Sequence, residues 1–276
     1  MDQFKTIVLV SLFGVPILGC VIAIVRYFGS SFYWYLFIFL VVFQFFMILV
    51  YPSFIMPLFN QFTPIEEGEL RSKIFALAKK VEFPLTNLFV MDGSKRSAHS
   101  NAFFFGLFKN YRIVIFDTLL KQVKTNEVVA VVAHELGHWK LSHTMRRIVI
   151  SQGIFFLNLY VLSQFILNEY IFNLFGFYGK TYPVVLGFIF FQYVSSPVDH
   201  MLNFAMNIVS RKHEYEADAF AVKHGYSLEL VNALIKIHSE NLSNLNPDRW
   251  YVTYHYCHPT LFERIEAITS VDIKQE

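Results

Sequence analysis

The stretch from Phe32 to Val50 contains no charged side chain and is dominated by aromatic and branched apolar residues. A helix needs about 20 apolar residues to cross a bilayer, so this stretch predicts a membrane span. Tyr33, Trp34 and Tyr35 stand at its start, where interfacial aromatic residues are common. The composition agrees, because 16% of the residues are charged, against about 25% in soluble domains. The sequence therefore predicts an integral membrane protein.

Three further apolar stretches predict membrane spans. Ile7 to Val25 precedes the first stretch, and Ile148 to Leu167 and Tyr182 to Val198 follow it. The last stretch continues towards Glu214 without an obvious break, which predicts a long helix that projects beyond the bilayer. Four spans and a helical, polytopic fold are therefore expected.

Charge distribution predicts the orientation of these spans. Lys and Arg are dense between residues 62 and 147 and again after Ser210, whereas the loops 26–31 and 168–181 hold one each. Positive residues favour the cytoplasmic side, so both termini and the charged segments are expected there. The predicted plan is two membrane helices in 1–62, an α+β region in 63–147, two membrane helices in 148–210 and a helical C-terminal part in 211–276.

The first charged segment contains both helix and strand patterns. An amphipathic helix is predicted between Pro64 and Lys80, because its apolar residues recur at helical spacing. Short runs of β-forming residues follow at Leu88–Met91, Ala102–Phe105 and Arg112–Phe116. A small α+β unit is therefore expected before residue 126.

Two features exclude other classes of site. The net charge is +2 and no basic and aromatic residues alternate, so nucleic acid is not an expected partner. Cys20 and Cys257 are the chain's two cysteines, too few for a disulfide framework or a thiolate zinc site.

The motif that most clearly indicates a chemical function is His134-Glu135-Leu136-Gly137-His138, in a predicted helix from Asn126 to His143. Histidines four residues apart share one helix face and can bind one Zn²⁺, and the glutamate between them can act as general base. A chance match is the alternative. The apolar run before the motif counts against it, because polar groups buried in such a helix need partners.

A third ligand is expected downstream. Glu214 and Asp218 lie four residues apart and can share a helix face. Glu214 would complete a site of two histidines and one glutamate with a fourth position open, and Asp218 would accept a hydrogen bond from a ligand imidazole. Glu216 is the competing ligand on chemistry alone. A charged helix end just outside the membrane is the non-functional interpretation.

The two motifs together resemble a known family. H-E-L-G-H at 134–138 and E-Y-E-A-D at 214–218 are similar to the H-E-x-x-H and E-x-x-A-D pair of the M48 zinc metalloproteases, and this pattern selects Glu214 over Glu216. Further motifs resemble the CAAX prenyl protease 1 (Ste24) family over nearly the whole chain; they are G-S-K-R-S-A-H-S-N-A at 93–102, 112–120, 210–221, His258-Pro259 and Glu263-Arg264.

The resemblance implies a mostly α, polytopic membrane protein with an M48-like α+β peptidase domain. It implies one Zn²⁺ per chain, bound by His134, His138 and Glu214. It further implies that His258 stabilises the oxyanion with Arg264 in support. The segment Ser100, Asn101 and Ala102 would lie along the substrate as an edge strand.

The resemblance also implies the substrate. Members of this family remove the last three residues of prenylated, typically farnesylated, CAAX proteins, and some cut a second site upstream. They act at membrane lipid in the endoplasmic reticulum and the inner nuclear membrane. Members usually have more than four spans around an intramembrane chamber, so this chain is expected to correspond to the C-terminal part and to lack the first spans.

Two other functions are considered. An HtpX-like quality-control protease has the same zinc chemistry, but Lys95-Arg96 and His258-Pro259 argue against it. An inactive membrane scaffold derived from the family is the other, and the retained chemical residues argue against that.

Overall fold

The computed structural model describes residues 2–97, 101–107, 110–166, 168–179 and 183–273. In chain order, the helices are α1 (Asp2–Leu9), α2 (Val15–Phe28), α3 (Phe32–Val50), α4 (Met56–Phe59), α5 (Glu69–Lys80), α6 (Asp117–Gln122), α7 (Thr125–Lys140), α8 (His143–Phe165), α9 (Glu169–Leu174), α10 (Val184–Lys223), α11 (Ser227–Glu240), α12 (Arg249–His255) and α13 (Leu261–Ile273). The strands are β1 (Phe62–Pro64), β2 (Leu85–Met91), β3 (Ala102–Leu107) and β4 (Asn110–Phe116). The predicted, mostly helical fold is confirmed.

The chain divides into two compact units. The first unit consists of Met1–Phe59 and Arg146–Leu202, and the second unit consists of Asn60–Met145 and Asn203–Glu276. All the sequence-predicted catalytic and metal-binding residues belong to the second unit.

The first unit contains the helices expected to lie in lipid. Two helical stretches of the described residues are long and apolar enough to cross a membrane, Asp2–Phe59 with 58 residues and His143–Phe165 with 23. The first stretch includes both N-terminal predicted spans, separated by a turn at Gly29, where φ is 53°. The span predicted from Tyr182 to Val198 does not meet the same criteria, so its crossing stays a prediction. Its first residue, and Leu167 at the end of the third predicted span, lie outside the described residues.

Apolar side chains form the core of the first unit. Phe32 and Leu36 of α3 pack with Leu159 and Leu162 of α8 and with Phe191 of α10. Close backbone contact supports this packing, because a Cβ on Gly187 would lie 2.8 Å from the Ile166 backbone. Small residues that allow helices to approach closely are typical of membrane helix contacts.

The second unit contains a four-stranded sheet in the order β1-β2-β4-β3. The pair β2 and β4 is parallel, whereas β1 and β3 are antiparallel to their neighbours. The three predicted strands all form and are longer than predicted. Strand β1 was not predicted, because it has three residues and one is Pro64. Helix α7 packs beside β3, at the edge of this sheet.

Several helix boundaries differ from the sequence prediction. The amphipathic helix predicted from Pro64 to Lys80 begins at Glu69, and Pro64 belongs to β1. Helix α7 ends at Lys140 rather than His143, because Ser142 adopts a left-handed conformation with φ of 57°. Helix α8 then begins at His143 instead of Ile148. The predicted continuation through Glu214 is confirmed, because α10 is one helix of 40 residues with Pro197 inside it.

Candidate metal centre

Helix α7 presents its two motif histidines on one face. The Nε2 atoms of His134 and His138 are 3.2 Å apart, and the planes of the two rings are inclined by 81°. His134 is 6% exposed. The helix is packed with small and branched apolar residues such as Val132 and Ala133, so the two imidazoles and the carboxyl of Glu135 are its polar groups at this level.

Helix α10 brings Glu214 to the same point. Its Oε2 lies 3.5 Å from the Nε2 of His134, and its Oε1 lies 3.4 Å from the Nε2 of His138. Ligand atoms about 2.1 Å from a tetrahedral zinc ion are about 3.4 Å from one another. The observed separations therefore fit zinc, and a donor set of two imidazoles and one carboxylate leaves a fourth position for water or substrate.

A glycine allows α7 and α10 to approach closely. A Cβ on Gly137 would lie 3.1 Å from the Cα of Ala217 and 3.1 Å from the Cβ of Phe220. Ala217 is itself fully buried, three residues after Glu214 and directly before the buried Asp218. The helix contact between Gly137 and Ala217 therefore sets the distance between the histidines and the carboxylates.

Asp218 contacts His134 at Nδ1, and Arg264 holds the Asp218 carboxylate in place. The Oδ1 of Asp218 lies 2.8 Å from the Nδ1 of His134. Arg264 donates two hydrogen bonds to the same carboxylate, from Nε to Oδ2 at 2.8 Å and from Nη2 to Oδ1 at 2.6 Å. This bidentate geometry is typical of strong arginine–carboxylate pairs. Arg264 also lies 3.3 Å from the Nδ1 of His134 through Nη2 and 3.7 Å from the Oε2 of Glu214 through Nη1. Its expected support of His258 at the oxyanion stays a prediction.

His258 stands on the solvent side of the centre. Its side chain is 63% exposed, and its Nε2 lies 3.6 Å from the Oε1 of Glu214. It follows α12 and precedes α13, in a segment without helix or strand. His258 is therefore an exposed imidazole beside the Glu214 carboxylate, and its expected contact with the oxyanion stays a prediction.

The pKa shifts reflect burial and the mutual pairing of the histidines and carboxylates. Burial alone would lower the pKa of His134, but the carboxylates of Asp218 and Glu214 outweigh burial and raise this pKa to about 9. Burial alone would raise the pKa of Glu214, but its hydrogen bonds with both histidines hold this pKa well below its usual range. Burial raises the pKa of Glu135, despite the opposing effect of the nearby histidines. A base needs a pKa closer to neutrality than that of a free carboxyl, and this shift is in that direction.

The three residues of the predicted substrate segment differ in what the structure shows of them. Ser100 lies outside the described residues. Asn101 is exposed, and its backbone oxygen accepts a hydrogen bond from the Phe116 backbone N–H at 3.0 Å. Ala102 is 3% exposed and its methyl group belongs to the core, so its side chain faces away from any substrate. Among the described residues, β3 pairs with β4 alone, which leaves its other edge available.

The sequence interpretation missed a second polar cluster beside the centre. His143, His213 and Glu216 have ligand-type atoms within 4.8 Å of one another, and His143 is 1% exposed. The signal in the sequence was the position of His143, five residues after the second motif histidine. Helical spacing gave no reason to place it beside His138.

Comparison with known proteins assigns the chain to a class. Residues 64–272 match the profile of peptidase family M48, and residues 1–61 match the profile described as CAAX prenyl protease N-terminal, five membrane helices. The chain therefore belongs to peptidase family M48. It is a polytopic helical membrane protein with an M48 domain.

Within that family, the chain is similar to proteins of one branch. It is 47% identical to a CAAX prenyl protease 1 homolog of Oryza sativa subsp. japonica, covering 100% of this chain and 64% of the relative. It is 42% identical to CAAX prenyl protease 1 of Saccharomyces cerevisiae, again covering 100% and 64%. The crystal structure of S. mikatae Ste24p superposes with a TM-score of 0.89 at 43% identity, over 97% of this chain and 65% of that chain. The chain thus spans slightly less than two thirds of these relatives, and the resemblance to CAAX prenyl protease 1 is confirmed.

Proposed function

We propose that this chain carries the catalytic centre of an integral-membrane zinc endopeptidase that removes the last three residues of prenylated CAAX proteins. The observation that carries the proposal is the convergence of His134, His138 and Glu214 at separations that fit zinc. The names of the relatives support the CAAX substrate.

The residues around the metal have distinct roles in this proposal. Zinc bound by His134, His138 and Glu214 would supply Lewis acidity for peptide hydrolysis. Glu135 removes a proton from the attacking water and delivers it to the leaving amine, and its raised pKa suits both steps. His258 is exposed beside the centre, where a substrate can reach it. Its role is to donate a hydrogen bond to the developing oxyanion. Arg264 keeps Asp218 charged and in place, so that Asp218 orients His134.

The free edge of β3 is the proposed substrate-binding edge. An extended peptide can pair with it through backbone hydrogen bonds, which gives modest dependence on side chains. Asn101, at the start of this strand, is exposed and available for contact. Ala102 can contribute only its backbone oxygen, because its methyl group is buried and its N–H already donates to the Oδ1 of Asn101.

Membrane attachment suits a lipidated substrate. A prenyl chain partitions into lipid, so it brings the modified C-terminus to an enzyme held in the bilayer. We propose four spans, with both termini and the catalytic residues on the cytoplasmic side of the endoplasmic reticulum and the inner nuclear membrane. The charge asymmetry of the sequence supports this orientation.

Orientation can be tested by labelling introduced cysteines. Lys79 of α5 and Tyr178 after α9 are both exposed, and the proposed topology places them on opposite sides. In a variant without Cys20 and Cys257, an impermeant maleimide applied to sealed microsomes should label Lys79→Cys and spare Tyr178→Cys. Labelling of both from the outside would show that a span has been miscounted.

The catalytic assignment is tested by Glu135→Gln in the full chain. Removing the general base should lower cleavage of a farnesylated CAAX peptide by about 10²–10⁴-fold. Zinc content should stay at one ion per chain, because Glu135 is not a ligand. Glu67→Gln, at an exposed carboxyl of the same charge, serves as control.

The same assay separates the alternatives. Equal cleavage of an unprenylated, unfolded membrane protein would favour a quality-control protease. Bound zinc without any cleavage by the unmodified chain would favour a scaffold. Unchanged turnover in Glu135→Gln would refute the assignment of the base.

A further inference from the structure

We propose that His143 and Glu216 form a hydrogen-bonded relay that holds His138 in the tautomer and orientation required to bind metal through Nε2. His143 is thus a positioning residue of the centre. The inference rests on the zinc site of the proposed function and adds to it two residues that the motif pair does not include.

The distances define the direction of the relay. The Nδ1 atoms of His138 and His143 are 3.0 Å apart, and the Nε2 of His143 lies 2.9 Å from the Oε2 of Glu216. When His138 binds metal through Nε2, its proton must be on Nδ1. His143 then accepts that proton's hydrogen bond at Nδ1 and carries its own proton on Nε2. Glu216 accepts the last hydrogen bond, so each donor in the chain has an acceptor.

The break between α7 and α8 makes this contact possible. In a continuous helix, a residue five positions after His138 would point about 140° away from it around the axis. Ser142 instead adopts φ of 57°, which ends α7 and starts α8 at His143. The ring of His143 therefore returns to the side of His138, with centroids 5.1 Å apart. The left-handed residue is the local feature that builds the relay.

The two ligand histidines thus have different partners. His134 contacts a carboxylate directly, and that carboxylate is held by Arg264. His138 contacts a second imidazole, and the carboxylate of Glu216 lies behind it, with Lys212 at 3.8 Å. Outer partners of this kind fix the ring orientation of metal-ligating histidines and typically contribute about 10–100-fold to metal affinity. The same physical reason applies to both histidines.

A second metal ion does not explain the cluster. The rings of His143 and His213 are stacked, with centroids 4.1 Å apart and planes inclined by 8°. The nitrogen lone pairs of an imidazole lie in the ring plane, so one ion cannot lie in the planes of two stacked rings at once. The rings of His134 and His138, inclined by 81°, do not have this restriction.

The test compares two substitutions of His143 in the full-length chain. His143→Leu removes the acceptor, whereas His143→Asn can place its Oδ1 near the former Nδ1 and accept from His138. Zinc dissociation constants from chelator competition should be about 10–100-fold weaker in His143→Leu and should largely recover in His143→Asn. The visible spectrum of the Co²⁺-substituted protein should change in the leucine variant and return towards that of the unmodified chain in the asparagine variant. His224→Leu, which removes a histidine just after α10 that bonds to the backbone oxygen of Phe220, is the matched control and should leave both readouts unchanged.

Glu216→Ala provides an independent variant if His143→Leu does not fold. It removes the far end of the relay and should weaken zinc affinity less than His143→Leu, while the protein stays loaded at stoichiometric zinc. Equal affinity in the unmodified chain, His143→Leu and Glu216→Ala would overturn the relay. Equal loss in His143→Leu and His143→Asn would also overturn it, as would binding of two zinc ions with loss of one in His143→Leu. Failure of the unmodified chain to bind zinc would instead refute the proposed function on which the relay rests.

Discussion

The two units of this chain bury different kinds of side chain. Among the described residues, every buried polar or charged side chain lies in the second unit; these are Thr118, Glu127, His134, His143, Ser210, His213, Glu214, Asp218 and Arg264. The first unit buries Phe32, Leu36 and Phe191 and exposes many large apolar side chains, such as Val42 at 63%.

This difference follows from the solvent of each unit. Helices in lipid gain little from burying apolar surface, so they associate through close packing. Burying charge is costly unless each group is paired. The described residues of the second unit pair most of their buried charges around the metal centre, and Glu127 is paired separately with Lys236. The first unit should therefore respond mainly to changes in side-chain volume, whereas the second should respond to loss of single charged partners.

The largest effect is expected at the third ligand. Glu214→Ala should reduce zinc affinity by more than the roughly 10–100-fold typical of an outer partner, and the purified protein should lose its metal. Glu216→Ala, two residues away on the same helix, should retain about one zinc per chain when zinc is stoichiometric. Metal analysis after dialysis measures both. The reverse order would assign the ligand to Glu216.

The buried ion pair behind His134 should give the next effect. Arg264→Met leaves the 1% exposed Asp218 charged and without its bidentate partner. Breaking such a pair costs about 3–5 kcal/mol, whereas replacing both partners is often close to neutral. The double variant Arg264→Met and Asp218→Asn should therefore be more stable than Arg264→Met alone. Denaturant unfolding in detergent, followed by circular dichroism, measures this, and equal loss in both would show that charge pairing is not the cause.

Substitutions at two glycines test how each unit responds to added side-chain volume. Gly137→Ala puts a methyl group 3.1 Å from Ala217 and Phe220, so it should weaken zinc binding as well as stability. Gly187→Ala puts one 2.8 Å from the Ile166 backbone in the first unit and should lower stability alone. Overpacking costs about 1–3 kcal/mol in each case. Gly153→Ala is the matched control, because nothing lies within 4 Å of its Cβ position.

The readouts for these glycine variants are zinc affinity and thermal stability in detergent. If Gly187→Ala lost zinc as readily as Gly137→Ala, the metal centre would depend on the packing of the first unit. That outcome would contradict the comparison between the units.

Local patterns predicted the regular elements and the ligands that share a helix. The apolar run Phe32–Val50 became α3 with the same bounds, because its length and composition leave few alternatives. The spacing of His134 and His138 predicted their shared face. Helical spacing left Glu214 and Glu216 as alternatives, and the family resemblance selected Glu214. The three-residue strand β1 could not be predicted, because it forms only through pairing with β2.

The contacts that depend on tertiary packing were not accessible from spacing. His143 reaches His138 because Ser142 leaves the helical conformation, and no residue pattern indicated that turn. Arg264 bonds to Asp218, 46 residues earlier in the chain, and only the folded unit shows this partner. Sequence therefore predicted the candidate ligands and Asp218 as the partner of one imidazole, but not the partners of His138 and Asp218.

The smallest effect should come from a buried carboxylate away from the metal. Glu127 is 5% exposed and accepts hydrogen bonds at 2.7 Å from the Lys124 backbone N–H and from Nζ of Lys236. Burial alone would raise the pKa of Glu127, but the hydrogen bond from Lys236 outweighs it and lowers the pKa below the ordinary value of 4.5. A depressed pKa in the folded state contributes stability above pH 4.5, and this contribution is lost as pH falls through the folded-state pKa. Because the Lys236 side chain is 36% exposed, the contribution should be only about 1 kcal/mol.

Glu127→Gln should thus lower the free energy of unfolding at pH 7. The stabilities of the variant and the unmodified protein should converge as the pH falls below 4.5, which denaturant unfolding across the pH range measures. A difference that stays constant with pH would show that the ion pair with Lys236 does not contribute, and that the glutamate acts only as a cap for α7.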